Sequence, residues 1–276
     1  MENSLSKPTV IVIGGPNGAG KSTLARTLLP PDFEFINADE IAKTLKAGSE
    51  DRSANVDVAA GKLALQRMDQ LASEKRSFAV ETTLSSRKLA TRIQRLQAEG
   101  YEFNLYYIWV MDPSLSIVRV ADRVRMGGHN IPEDVIRRRY ARGLENFIQV
   151  YRQLADNWFM VDNSKPGIFN LVVESNVYGS MVVHNAEIWD QFMKIIEENS
   201  PMYKHDTPPT HIAEASAENT YLQAGPSILA EELIRAGRQG VRQAMIEHKA
   251  AGMPVVGWQD DKIVWIPADE IVIEDE

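Results

Sequence analysis

The sequence contains no cysteine. Disulfides, thiolate metal sites and cysteine nucleophiles are thereby excluded. Histidine is scarce: there are five in 276 residues, none at metal-ligand spacing from another, so a histidine-based metal centre is not expected. No stretch approaches the roughly 18 uninterrupted apolar residues of a membrane-spanning helix. The first eight residues also lack the basic flank and apolar run of a secretory leader. A cytoplasmic protein that does not enter membranes is the expectation. Apolar residues make up 44% and charged residues 25%, which sets aside global disorder, collagen-like repeats and coiled-coil fibres.

The net charge of −8 is unevenly distributed. Residues 1–200 carry 24 Lys and Arg against 25 Asp and Glu, whereas residues 201–276 carry 6 against 13. The acid excess therefore sits in the last quarter, which speaks against a nucleic-acid grip there.

From residue 9 to about 200, short apolar runs alternate with amphipathic stretches. Strands are expected at 9–13, 33–37, 78–80, 102–111 and 159–161, with a hairpin formed by 169–175 and 180–184. Helices are expected between them, including 133–154, and 187–198 closes the series. Alternating strands and helices imply an α/β fold with a doubly wound, mainly parallel sheet. Residues 199–225 are rich in Pro, Ser, Thr, Asn and Ala and read as a linker, able to span about 90 Å when extended. Beyond it, 227–250 is helical with a break expected near Gly237 or Gly240, and Gln259-Asp-Asp-Lys262 joins two strands of a hairpin. One helix and one hairpin bury too little to stand alone. The organisation is thus a large domain over 1–198, a linker over 199–225 and a small acidic module over 226–276, which must lean on the large domain or pair with another chain.

The strongest motif lies between the first strand and the first helix. Gly15, Pro16, Asn17, Gly18, Ala19, Gly20, Lys21 and Ser22 match G-x-x-x-x-G-K-[ST], with Thr23 following inside the helix. Glycines let backbone N–H groups approach phosphate oxygens, and the helix N-terminus favours the anion. Lys21 is expected to reach the β- and γ-phosphates and the Ser22 hydroxyl to bind Mg²⁺, making ATP or GTP the expected ligand.

Phosphoryl transfer also needs a group to deprotonate the acceptor. Acids at strand ends are the candidates: Asp39, Glu81 and Asp112. Asp39 is a candidate to face the γ-phosphate, although Asn37 to Glu40 also fits a capping box. Glu81 ends an apolar run and is followed by Thr82 and Thr83. Asp112-Pro113 reads as a helix cap rather than a functional acid.

Residues 119–142 hold seven arginines against three acids, with Met126-Gly-Gly-His-Asn-Ile-Pro132 between them. Two arginine-bearing helices joined by a glycine-containing loop suggest a lid that closes over phosphates, since the guanidinium fork binds them bidentately. Arg137, Arg138 and Arg139 cannot all face one way on a helix. Asn163, within Asp162-Asn-Ser164, is a candidate for lining the nucleotide base, or part of a plain turn. His129 reads as a solvated loop residue.

The motifs Gly14–Thr23, Asn37-Ala-Asp-Glu40, Glu81-Thr-Thr83, Arg123–Pro132 and Arg137-Arg-Arg-Tyr140 together resemble the zeta toxin family over about 8–198. The resemblance implies a P-loop kinase using ATP and Mg²⁺, whose acceptor is the sugar of UDP-N-acetylglucosamine. It implies Asp39 as general base, Glu81 with Thr82 or Thr83 as substrate contacts, and Lys21 and Ser22 on ATP–Mg²⁺. Arg123 or Arg125, with Arg138 or Arg139, become the charges on the transferring phosphoryl group. The tail, with Glu247-His-Lys-Ala-Ala-Gly-Met-Pro254 and Val264-Trp-Ile-Pro267, is similar to small bacterial proteins that look like partners of such kinases. An acidic unit tethered to an arginine-rich lid is expected to dock there as a built-in antitoxin, in cis or between chains. The competing readings are a polynucleotide or RNA-end kinase, which the near-neutral first 200 residues disfavour, and a non-catalytic ATP-dependent switch.

Overall fold

The computed structural model describes residues 7–31, 33–47, 56–128, 130–175, 181–199 and 226–273. Its centre is a seven-stranded sheet in the order β2-β3-β1-β4-β5-β6-β7. β1 (Thr9–Gly14) lies between β3 (Phe78–Thr82) and β4 (Glu102–Trp109), with β2 (Glu34–Ile36) and β5 (Asn157–Asp162) outside them. These five strands are parallel; β6 (Asn170–Ser175) and β7 (Met181–Val183) add antiparallel pairs at one edge. The expected mainly parallel α/β sheet is therefore the observed one. Residues 176–180, the turn of the expected 169–184 hairpin, and residues 200–225 of the expected linker lie outside the described residues.

β4 explains the sheet's central position. Phe103, Leu105, Ile108 and Trp109 are fully buried, as a strand covered on both faces requires. Alternation sends Tyr107 and Trp109 to one face, where they meet Phe147 and Phe192. Tyr106 goes to the other face and stacks on Phe159.

The helices are α1 (Lys21–Leu28), α2 (Ala38–Ala47), α3 (Val56–Ser73), α4 (Lys88–Ala98), α5 (Pro113–Arg125), α6 (Glu133–Asn146), the short α7 (Arg152–Leu154), α8 (Ala186–Asn199) and α9 (Ile228–Ala250). None among the described residues is long and apolar enough to cross a membrane. Asp112 caps α5, accepting a 2.6 Å hydrogen bond from the Ser114 amide, with Pro113 in the first turn. The 133–154 stretch is not one uninterrupted α-helix, because Phe147–Tyr151 form a π-helical turn between α6 and α7. With its extra residue per turn, this segment buries Phe147, Ile148 and Tyr151, and the Tyr151 hydroxyl donates to the Ser86 carbonyl.

α9 runs unbroken through Gly237 and Gly240, contrary to the expected break. The glycines serve contact instead. A Cβ on Gly237 would stand 2.1 Å from the Phe169 ring, and one on Gly240 would stand 3.1 Å from the Thr23 side chain on α1. Ala230 and Leu233 of α9 are fully buried in the same apolar core as the sheet, and the Thr27 hydroxyl of α1 donates to the Ala236 carbonyl at 2.8 Å. Ser227 caps α9 and is itself tied to buried Glu174 of β6, its amide donating to Oε1 at 3.0 Å. The expected hairpin is present as β8 (Val255–Gln259) and β9 (Lys262–Ile266). Asp260 and Asp261 both have positive φ, the pattern of a two-residue type I′ turn.

The closeness of the α9 contact gives a stability prediction. Gly237→Val should lower the unfolding free energy by about 1–3 kcal/mol through overpacking, and Leu233→Ala by about 2–5 kcal/mol through cavity formation. Urea denaturation followed by near-UV circular dichroism checks both values.

Candidate active site

The parallel strands β1, β3, β4 and β5 end on the same edge of the sheet, and β1 lies where the chain order reverses, the place at which α/β sheets open a binding crevice. The phosphate-loop octet begins there. Gly15 (φ +140°) passes so close over β4 that a Cβ would lie 2.0 Å from the Ile108 carbonyl oxygen, and Gly18 and Gly20 are also left-handed, with φ +72° and +96°. Side-chain-free residues are thus required for the backbone to wrap this tightly. The loop leads into α1 at Lys21.

Lys21 is 5% exposed. Its ammonium donates to the Pro16 carbonyl at 2.7 Å and stands 3.8 Å from Glu81 Oε1. Burial pulls its pKa below the ordinary lysine value. The charges of Glu81 and Asp39 oppose that fall, and those of Arg123 and Arg139 add to it.

Glu81, in the last turnings of β3, joins three segments. Its Oε2 accepts from the Ser22 hydroxyl at 2.7 Å and from the Asn37 amide at 2.9 Å. Asn37 in turn caps α2, its Oδ1 accepting from the Asp39 amide at 2.8 Å. Asp39 is exposed on the cavity wall, one residue into α2. Asn37 therefore both caps a helix and orients a site carboxylate; its proximity to Asp39 in the sequence signalled the first role only.

Thr82 and Thr83 are turned to the β3–α4 connection. Thr82 Oγ1 accepts from the Leu84 amide, and Thr83 pairs with Ser85. Neither lines the cavity that contains Lys21, Asp39 and Glu81.

The arginines divide by helical phase. Arg123 lines the cavity, and Arg139 lies close enough for its charge to act on Lys21. Arg125 is 63% exposed, 3.8 Å from Asp122, and lies over the Trp265 ring of β9. Arg138 is 54% exposed and 3.9 Å from Asp134. Arg137 is held by Glu133 on its own helix. Gly128 packs against Arg123, its amide donating to the Arg123 carbonyl at 2.9 Å. His129 lies outside the described residues.

At the other end of the cavity stands Arg119, one of the seven arginines but not singled out by any motif. Its guanidinium donates to the carbonyls of Asn163 at 2.8 Å, Ser164 at 3.3 Å, Gly18 at 3.4 Å and Val256 at 3.3 Å. Burial lowers its pKa to about 10, against the opposing charge of Asp162. Burial likewise raises the pKa of Asp162, and hydrogen bonds from Ser164 oppose the rise. Asn163 lies on the cavity wall, and its amide donates to the Ala19 carbonyl at 2.9 Å.

One cavity of about 410 Å³ joins these groups, and Met245, His248 and Val256 of the C-terminal module line it together with the phosphate loop. The donor set fits a nucleoside triphosphate: loop amides, a buried lysine and two arginines. The adjacent oxygens of Ser22 and Glu81 are hard donors of the kind magnesium takes.

The zeta toxin family model matches residues 1–170. An uncharacterised protein of Haemophilus influenzae is 31% identical over 126 residues, which are 46% of this chain and 88% of that protein. Among solved structures, AvrRxo1-ORF1:-ORF2 with ATP superposes with a TM-score of 0.58 at 19% identity, covering 87% of this chain and 77% of that chain. The AvrRxo1-ORF1:AvrRxo1-ORF2 complex with sulphate ions gives 0.58 at 18% identity, covering 84% and 81%. The two superpositions show a shared fold.

The Arg119 arrangement predicts a cost for its conservative replacement. Lysine offers no planar fork and cannot meet four carbonyls on three segments. Arg119→Lys should lower stability by about 1–3 kcal/mol for the oxygens left unmet, and the Trp258 amide, which donates to Ser164, should exchange faster by hydrogen–deuterium exchange.

Proposed function

The chain belongs to the zeta toxin family, and on that footing we propose that it transfers the terminal phosphoryl group of ATP to a hydroxyl of a small molecule, with the sugar of UDP-N-acetylglucosamine as acceptor. The observation that carries this reading is the placement of a phosphate loop, an exposed carboxylate and Arg123 around one cavity, with the charge of Arg139 acting on Lys21.

In this reading the amides of Gly18 to Ser22 and the Lys21 ammonium hold the phosphates. Asp39 takes the proton of the acceptor hydroxyl as its oxygen bonds to the γ-phosphorus, and the bond from phosphorus to the β–γ bridging oxygen breaks to leave ADP. Arg123 and Arg139 meet the charge on the transferring group, and Lys21 meets that on the leaving oxygen. Ser22 and Glu81 would hold magnesium, which neutralises phosphate charge when bound. Glu81 is thereby drawn to the nucleotide side, while Thr82 and Thr83 shape the neighbouring loop. The C-terminal module is the antitoxin-like part of the proposal. It touches Arg119, Asp122 and Arg125, so its docking in cis restrains the lid helix α5.

The test is ATP consumption by the full chain with and without UDP-N-acetylglucosamine. Asp39→Asn should lower acceptor-dependent turnover by about 10²–10⁴-fold while ATP binding persists. Arg123→Ala and Arg139→Ala should each lower it by about 10²–10³-fold, with Arg125→Ala and Arg138→Ala near wild type. Turnover that ignores the sugar nucleotide would discard that acceptor, and salt-sensitive phosphorylation of RNA ends would replace it.

A further inference from the structure

The cavity extends in two directions from the phosphate loop. One leads to Asp39, Glu40 and Lys43 on α2; the other leads to α5, the 163–167 loop and the C-terminal module. If Asp39 serves the acceptor, the nucleoside must extend the other way. That end has the character of a base site: Pro166, Gly167, Met245 and Val256 provide apolar wall, with polar side chains, Asp122 and His248 included, set beside it. A thioether such as Met245 is well suited to lie against a π-system.

One of the polar groups there is an acceptor in want of a donor. Asp122 is 3% exposed, and its Oδ1 has no hydrogen-bond partner among the described residues. Arg125 at 3.8 Å and His248 at 3.9 Å stand nearest its carboxylate, both beyond hydrogen-bond length. His248 Nδ1 donates to the Pro254 carbonyl at 2.9 Å. A buried acceptor without a donor is costly, and an exocyclic amine on a bound base supplies one.

We infer that the C-terminal module is the wall against which the nucleobase lies, and that Asp122, beside His248, accepts from the 6-amino group of adenine. The module lies beyond residues 1–170 matched by the family model. This inference rests on the ATP reading above and adds its direction: the docked module completes the nucleotide site instead of obstructing it. Binding of ATP and docking of the module then support each other.

The experiment is titration calorimetry on the full chain with three ligands: ATP, purine riboside triphosphate, which lacks the 6-amine, and inorganic tripolyphosphate. Wild type should bind ATP about tenfold or more tighter than the amine-free analogue. Asp122→Ala should bring the two together. Met245→Ala and Ala244→Phe alter half-buried cavity-wall positions and should each weaken ATP while leaving tripolyphosphate within about twofold, which also reports that the phosphate loop is intact. Equal binding of ATP and the analogue by wild type would overturn the role of Asp122. Tighter ATP binding by Met245→Ala, as expected of a module that plugs the site, would overturn the wall. A wild type that binds neither ATP nor tripolyphosphate would sink the kinase reading itself, a failure separable from both.

Discussion

A desolvated guanidinium has to be surrounded by acceptors, and Arg119 meets that demand without a carboxylate in contact. Four backbone carbonyls surround it, from the phosphate loop, the loop after β5 and the hairpin strand β8. Each oxygen must stand where the planar fork can reach it, so one side chain sets the relative position of three segments far apart in sequence. The Asn163 amide repeats the link from the other side by donating to Ala19. The mouth of the cavity is therefore framed by side-chain donors that hold backbone carbonyls.

Charge is arranged differently at the phosphate end. Lys21, Arg123 and Arg139 concentrate positive potential on a small volume, and the lowered pKa of Lys21 records both its burial and that mutual repulsion. Glu81 and the Pro16 carbonyl hold the ammonium until an anion arrives. On the proposed reading a triphosphate answers all three cations at once, and such a cluster of positive charge favours polyphosphates over single carboxylates.

Much of this was legible in the residues. The phosphate-loop octet, the alternation of strands and helices, the Asp112 cap and the hairpin turn each rest on local rules, and local rules are what a sequence displays. The facing of the arginines was only half legible: helical phase said that Arg137, Arg138 and Arg139 must diverge, but not that Arg139 is the one whose charge acts on Lys21. Gly237 and Gly240 were misleading for a related reason. Glycine weakens a helix on its own, and its value to α9 lies in the ring of Phe169 and the α1 side chains that it admits. Arg119 carried no signal beyond its place among the seven arginines, because its partners are carbonyls, which every residue possesses.

The tie between Thr27 and Ala236 spans 209 positions along the chain. Contacts of that separation form only after a long loop has closed, and chains rich in them fold slowly. Until α9 arrives, the flank of α1 and the Phe169 edge that it covers stay wet, and the phosphate loop leads into a helix packed on one side only. During synthesis α1 therefore emerges long before α9, the helix that packs on it. This order leaves the cleft unfinished throughout synthesis of the sheet.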